Sequence, residues 1–194
     1  MPHLSPQTLT HGEQKAILRA SRRNLRDHLI YSLALGTGLR LAEIVGLDAG
    51  DVYMPDGRPK SRVRLRPEIA KNGRAGDVFL PDVLLIKFRR FWRHKAARRE
   101  GLESGDPLFC SQSRRRISPR RVQFAFRTWQ VRAGFDRLYP FHSLRHCAIT
   151  NVYRQSRDLF LAQRFARHVS PLTTSVYTHP SDDELFRQIR NLNC

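Results

Sequence analysis

The sequence predicts a mainly α fold with a small antiparallel β-sheet, on three observations. Apolar residues recur at helical spacing behind good N-caps through most of the chain. Residues 61–81 instead alternate apolar and charged side chains on either side of an Asn-Gly step, as strands of a hairpin do. With 194 residues and 40% hydrophobic content, the chain has material for one substantial core or at most two small domains.

Taken in order, Thr10-His-Gly-Glu13 reads as a capping box opening a helix over about residues 11–22. Asn24 caps a second helix, in which Leu25, Leu29 and Leu33 form one apolar face. GTG at 36–38 turns the chain, and LRLAEIVGL resumes a short helix with Leu41, Ile44 and Val45 on one side. In the 61–81 segment Val63 and Leu65, then Val78 and Leu80, hold the inward positions, with Asn72-Gly73 between the two strands. Pro81 closes the sheet, and Asp82 caps a long helix carrying Leu84, Leu85, Phe88, Phe91 and Trp92. Its solvent side is read as basic through Lys87, Arg89, Arg90, Arg93, Lys95, Arg98 and Arg99. After a loop at 101–107 and the charge run CSQSRRRISPRR, Ser118-Pro119 fits an N-cap followed by Pro at N1. Val122, Phe126 and Trp129 point that helix inward, and Gly134 ends it. Further helices are expected near 142–155, 158–167, 171–178 and 182–190, with Asp158, Ser170 and Ser181 as caps.

The formal charge of +18 comes from arginine more than lysine and points to a polyanionic partner, nucleic acid or an anionic membrane surface. No apolar run approaches the roughly 20 residues that span a bilayer, and the arginines recur beside folded-domain signals rather than forming one amphipathic anchor. The first residues lack the basic start and apolar centre of a secretory signal. Cys110, Cys147 and Cys194 form no CxxC pair, which suits a reduced intracellular protein, in cytoplasm or at the nucleoid.

The stretch FHSLRHCAIT places His142, Arg145 and His146 within one turn or so of helix. HxxxH is a spacing for two zinc ligands, yet the glutamate of HExxH is absent and Arg145 would oppose a bound cation. A nucleic-acid contact and an ordinary polar face fit the fragment equally well. Downstream, FARHVSPLTTSVYTHP sets His168 and Tyr177 on either side of a Ser-Pro turn, where Tyr177 also reads as a core residue. Arg40 follows the TG turn and reads as a surface arginine or a partner of Glu43; Lys71 sits beside the Asn-Gly turn as an exposed ammonium.

Together these segments resemble the catalytic domain of the tyrosine recombinases, the phage-integrase and Xer-like family of site-specific DNA recombinases. LTHGEQKAIL resembles the start of that domain, GTGLRLAEIVGL the segment of its first catalytic arginine, and AKNGRAGDVFLP its β-hairpin. HSLRH is similar to the HxxR segment, and RHVSPLTTSVYTH to the segment of a histidine followed by the nucleophile. One departure is Phe165-Ala166-Arg167, where the family usually carries a leucine-glycine pair before the histidine. The resemblance implies the tyrosine recombinase catalytic-domain fold and a catalytic set of Arg40, Lys71, His142, Arg145, His168 and Tyr177, supported by Glu43 and His146.

It further implies cleavage and rejoining of duplex DNA at a specific recombination site through a 3′-phosphotyrosyl intermediate, with no cofactor and no metal. Two arginine forks would hold the phosphate and remove the need for a metal ion. Relaxation of DNA in the manner of a type IB topoisomerase and noncatalytic DNA binding are the competing readings. DNA contacts are expected from Arg62, Arg64 and Arg66 on the sheet and from Arg114, Arg115, Arg116, Arg120 and Arg121 in the charge run. The expected organisation is one catalytic domain over residues 1–194, with 1–8 a flexible lead-in and 180–194 a C-terminal tail helix. No room remains before Leu9 for the core-binding domain usual in the family. Self-association into a tetramer on DNA is expected, with a monomer possible when free, and no membrane contact.

Overall fold

A computed structural model describes residues 8–170, 172–175 and 190. The chain divides into two compact units, Gln7–Ala148 and a second comprising Ile149–Cys194 with Met1–Pro6.

In the first unit, α1 (His11–Ser21) starts at Thr10, whose hydroxyl accepts the Glu13 N–H while the Glu13 carboxylate accepts the Thr10 N–H. This is the expected capping box. The Asn24 side chain caps α2 (Leu25–Thr37). The helix runs through Gly36 and stops at Gly38, whose φ of 63° is the left-handed conformation that glycine adopts without a Cβ penalty. α3 (Leu41–Gly46) follows at once, then a short α4 (Ala49–Val52) that the sequence pattern did not announce.

β1 (Arg62–Leu65) and β2 (Gly76–Phe79) pair antiparallel with Val63 opposite Val78. Period-two geometry turns Val63, Leu65 and Val78 into the core and leaves Arg62 and Arg64 exposed. The strands are joined by a ten-residue excursion, residues 66–75, rather than a two-residue hairpin. Within it, Lys71–Gly73 form a tight turn in which Asn72 and Gly73 both have positive φ, 58° and 67°.

α5 (Asp82–Ala97) has Pro81 in the cap position, so Asp82 is its first helical residue and not the cap expected of it. Leu84, Phe88 and Phe91 are buried, as their spacing predicts. Lys95 overturns the expected basic solvent face: it is 0% exposed and donates to the Pro107 carbonyl at 3.0 Å. Lys87 likewise turns inward and donates to the Ser32 hydroxyl at 2.6 Å. α6 (Pro119–Arg132) begins at the Ser118 cap and is followed by Gly134, at φ 75°. Tyr31 of α2, Phe126 of α6 and Phe141 meet in the core, with ring centroids 5.2 and 5.5 Å apart for the Tyr31–Phe126 and Phe126–Phe141 pairs. α2 packs against α1, α3, α5 and α6, so both of its ends are fixed by their neighbours.

α7 (His142–Ser156) begins in this unit. Leu144 and Cys147 lie in the core, and the Cys147 Sγ accepts the Leu9 N–H at 3.1 Å. The second unit contains α8 (Leu159–Ala166), capped by Asp158, and α9 (Leu172–Ser175). Its core gathers Ile149, Ala162 and Ala166 with Val152, Tyr153 and Phe165 around them. The lead-in up to residue 7, the Pro171 position, the helix expected at 182–190 apart from Arg190, and Tyr177 lie outside the described residues.

Candidate active site

Arg40 stands at the junction that the Gly38 turn creates, as the residue capping α3. Its backbone N–H and its guanidinium both donate to Glu43, at 2.7 and 3.0 Å. Glu43 is 2% exposed, so its carboxylate sits beneath Arg40 and fixes that side chain while solvent reaches its outer edge. Both members of the pair anticipated from sequence are therefore joined, and the acid is the buried one.

Arg145 comes from the first turns of α7 and is also buried. It donates to the carbonyl of Gly38, two residues before Arg40. A guanidinium carries its N–H donors in a planar fork that matches the oxygens of a carbonyl, carboxylate or phosphate. Two arginines far apart in sequence are thus tied to one turn.

His142 lies exposed on the same helix, and its ring meets that of His146 edge-on, with centroids 4.6 Å apart and planes at 88°. Partial burial, then the charges of Arg145, Arg40 and Lys71, lower the His142 pKa below its ordinary value. The charges of Arg40 and of the exposed Lys71 thus reach the His142 imidazole. His146 is pushed down to about 4, by burial first and then by His142 and Arg145. Both rings are therefore neutral at pH 7, and a neutral imidazole can accept a proton.

Among the described residues no group of three or more His, Cys, Asp or Glu side chains is placed to hold a metal ion.

His168 belongs to the second unit. Its Nδ1 is 2.9 Å from the hydroxyl of Thr174, which is 0% exposed, and its carbonyl accepts from the Gln163 side chain at 3.2 Å.

The model of the phage integrase family matches residues 7–184. The chain belongs to the phage integrase family. It is 29% identical over 171 residues to tyrosine recombinase XerC of Neisseria meningitidis serogroup B, covering 84% of this chain and 50% of that protein. To XerC of Serratia marcescens it is 33% identical over 161 residues, covering 80% and 48%. The chain thus spans about half the length of the curated relatives it matches. Among solved structures, XerA recombinase superposes with a TM-score of 0.79 at 24% identity, over 100% of this chain and 66% of that one. The post-cleavage complex of XerH site-specific recombinase bound to a palindromic difH substrate gives 0.78 at 21% identity, over 97% and 54%. The λ integrase catalytic core gives 0.61 at 21% identity, over 83% and 91%. The mainly helical fold with a small antiparallel sheet is that of the family's catalytic domain.

Two features of this family member were not legible beforehand. Arg167 takes φ 54° at the end of α8, directly before His168, so an arginine adopts the left-handed turn at the usual glycine position. Arg66 and Arg116, expected to face DNA, are engaged with carboxylates in the fold. Arg66 pairs with Asp48 and Asp51 at 2.6 and 2.9 Å, and Arg116 pairs with Asp48 while donating to the Val45 and Leu47 carbonyls. Arg62 pairs across the sheet with Asp77 but stays exposed, as do Arg64, Arg114, Arg115, Arg120 and Arg121. No local signal separates the two groups, because the partner carboxylates lie elsewhere in the chain.

Proposed function

We propose that this chain is the catalytic domain of a site-specific DNA recombinase that cuts and rejoins duplex DNA through a 3′-phosphotyrosyl intermediate. The observation that carries the reading is the convergence of Arg145 and Arg40 on the Gly38 turn, with His142 on the same helix as Arg145. The names of the relatives, tyrosine recombinases and a recombinase bound to its difH substrate, support it.

In this mechanism the Tyr177 hydroxyl attacks the scissile phosphorus and the bond to the 5′ oxygen breaks. Arg40 and Arg145 donate to the nonbridging oxygens as charge builds there. His142, held neutral, takes part in removing the tyrosine proton, with His146 supporting its ring. Lys71 on its exposed turn supplies a proton to the departing 5′ oxygen, and His168 donates to the phosphate. A 5′ hydroxyl then reverses the step on the same or another strand, so no energy source or metal is required. Arg62, Arg64, Arg114, Arg115, Arg120 and Arg121 hold the duplex backbone, while Arg66 and Arg116 brace the fold. The working assembly is a tetramer on DNA, with the free chain monomeric, acting in the cytoplasm at the nucleoid. No described helix is long and apolar enough to cross a membrane.

The test is incubation with supercoiled plasmid and with nicked duplexes carrying the recombination site, followed by denaturing detection of a protein–DNA adduct. An adduct is expected in the parent and lost in Tyr177→Phe, with duplex binding retained. Adduct of parental yield in Y177F would remove the tyrosine from its role. Relaxation of supercoils at random positions would favour topoisomerase action instead.

A further inference from the structure

Within the first unit a groove of about 860 Å³ lies at the N-terminal end of α2. It is bounded by the α1–α2 turn, the C-terminal end of α5, the 110–113 loop and one flank of α6. Its charge is strongly positive. The two carboxylates that line it are already neutralised: Asp27 pairs with Arg26 at 2.9 Å and accepts the Trp129 indole N–H at 2.9 Å, and Glu100 pairs with Arg98 at 3.0 Å. Arg23, Arg121 and Arg132 also line the groove, and among the described residues none of the three has an ion-pair partner. Two of them lie over aromatic faces, Arg132 on Trp129 at 4.9 Å and Arg121 on Phe124 at 5.5 Å. Stacking holds a guanidinium plane while leaving its N–H edge free to meet an anion.

Position decides which anion. α2 has its N-terminus at the groove and its C-terminus at Gly38, which accepts from Arg145. Its 13 residues set the two sites roughly 20 Å apart. A duplex covers that distance in about six base pairs at 3.4 Å each. Arg121 is at once a wall of the groove and part of the exposed basic run that begins α6, so the two surfaces are continuous.

We propose that this groove is a second backbone site, which takes phosphates of the DNA arm flanking the scissile position. The inference rests on the reading of this chain as a DNA strand transferase and adds to it a contact removed from the chemistry. Arg23, Arg121 and Arg132 hold phosphate oxygens, and the paired Asp27 and Glu100 fix the groove walls. Because the site touches no reacting atom, it sets affinity and register of the duplex and leaves the cleavage step itself unchanged.

The experiment is the salt dependence of binding to a random-sequence duplex of about three helical turns, followed by fluorescence anisotropy with the full chain. Parallel measurements use the double variants Arg23→Gln/Arg132→Gln, Arg23→Lys/Arg132→Lys and, as a control for loss of charge alone, Arg89→Gln/Arg93→Gln on the exposed face of α5. At about 0.9 per neutralised phosphate, the first pair should lower the slope of log K against log salt by about 1.8. The lysine pair should restore most of the slope, and the control pair should move it far less. Adduct formation on nicked site DNA at saturating protein should be unchanged in all three. A slope in R23Q/R132Q equal to that of the parent or the control overturns the site, even where the parent cleaves DNA. A parent that shows no salt-dependent duplex binding overturns the DNA reading itself, and the groove site with it. Binding of a polyglutamate peptide that is lost in R23Q/R132Q, with the duplex slope intact, also overturns it and makes the groove a site for acidic peptides.

Discussion

Arg145 donates a hydrogen bond to the carbonyl of Gly38, so the HxxR helix is fastened to the turn that presents Arg40. The bond uses a carbonyl that the end of α2 leaves without a helical partner. It positions one arginine by means of the other's backbone, and a change at either end should reach both.

Arg145→Lys tests that coupling. Lysine keeps the charge, but its compact ammonium does not reproduce the planar fork that spans the Gly38 carbonyl and a phosphate. Adduct formation should slow by about 100-fold or more, while loss of a charge-assisted bond lowers stability by about 1–2 kcal/mol. Single-turnover cleavage and urea unfolding measure the two effects. Cleavage at the parental rate would show that the bond to Gly38 is structural alone.

Acid should destabilise the fold through the histidine pair. Unfolded, His146 takes up a proton near its ordinary 6.5; folded, it does so only at about 4. Between those values the unfolded state binds more protons, so stability is level above about pH 6.5 and falls as pH drops toward 4. His142 shifts in the same direction and adds to the loss. Because the rings are only partly buried, screening limits the His146 share to on the order of 1 kcal/mol. Urea midpoints across this window should decline in the parent and decline less in His146→Gln. Identical profiles would place the acid sensitivity elsewhere.

Lys71 lies on an exposed turn with no packing role visible in its surroundings, so Lys71→Ala should leave the unfolding midpoint nearly unchanged. Cleavage should nonetheless fall by about 100-fold, the usual order for a missing general acid. A substrate with sulfur at the bridging 5′ position releases a thiolate that needs no proton, and it should recover most of the rate. A substrate that fails to rescue K71A would deny the residue its acid role.

Arg167 occupies left-handed backbone immediately before His168. For a residue with a Cβ that conformation costs about 1 kcal/mol, which glycine avoids. Arg167→Gly should therefore raise stability by about 0.5–1 kcal/mol, read as a higher urea midpoint. A lower midpoint would show that contacts of the arginine side chain outweigh the strain.

Much of this architecture is written locally. The Thr10–Glu13 box, the Asn24 and Ser118 caps and the Val63/Leu65 alternation each rely on neighbours a few residues away, and each forms as the pattern dictates. The placement of His142 and Arg145 on one helix was likewise legible, because a histidine and arginine three residues apart need no tertiary information to share it. The ends of elements were less so. α2 passes Gly36 and stops at Gly38, since helix propagation tolerates one glycine and packing on α5 favours the added residues.

The state of each cation was decided elsewhere. Lys87, Lys95, Arg66 and Arg116 look from sequence like any other members of a chain with charge +18. In the fold Lys95 is enclosed against Pro107, Arg116 and Arg66 converge on Asp48, and Arg23, Arg121 and Arg132 have no acidic partner among the described residues. Sequence fixes how many positive charges the protein carries and which helices and strands bear them. Only the tertiary structure decides which are neutralised, because a buried charge requires a carboxylate or carbonyl at hydrogen-bond distance, and those partners come from segments the chain brings together only on folding.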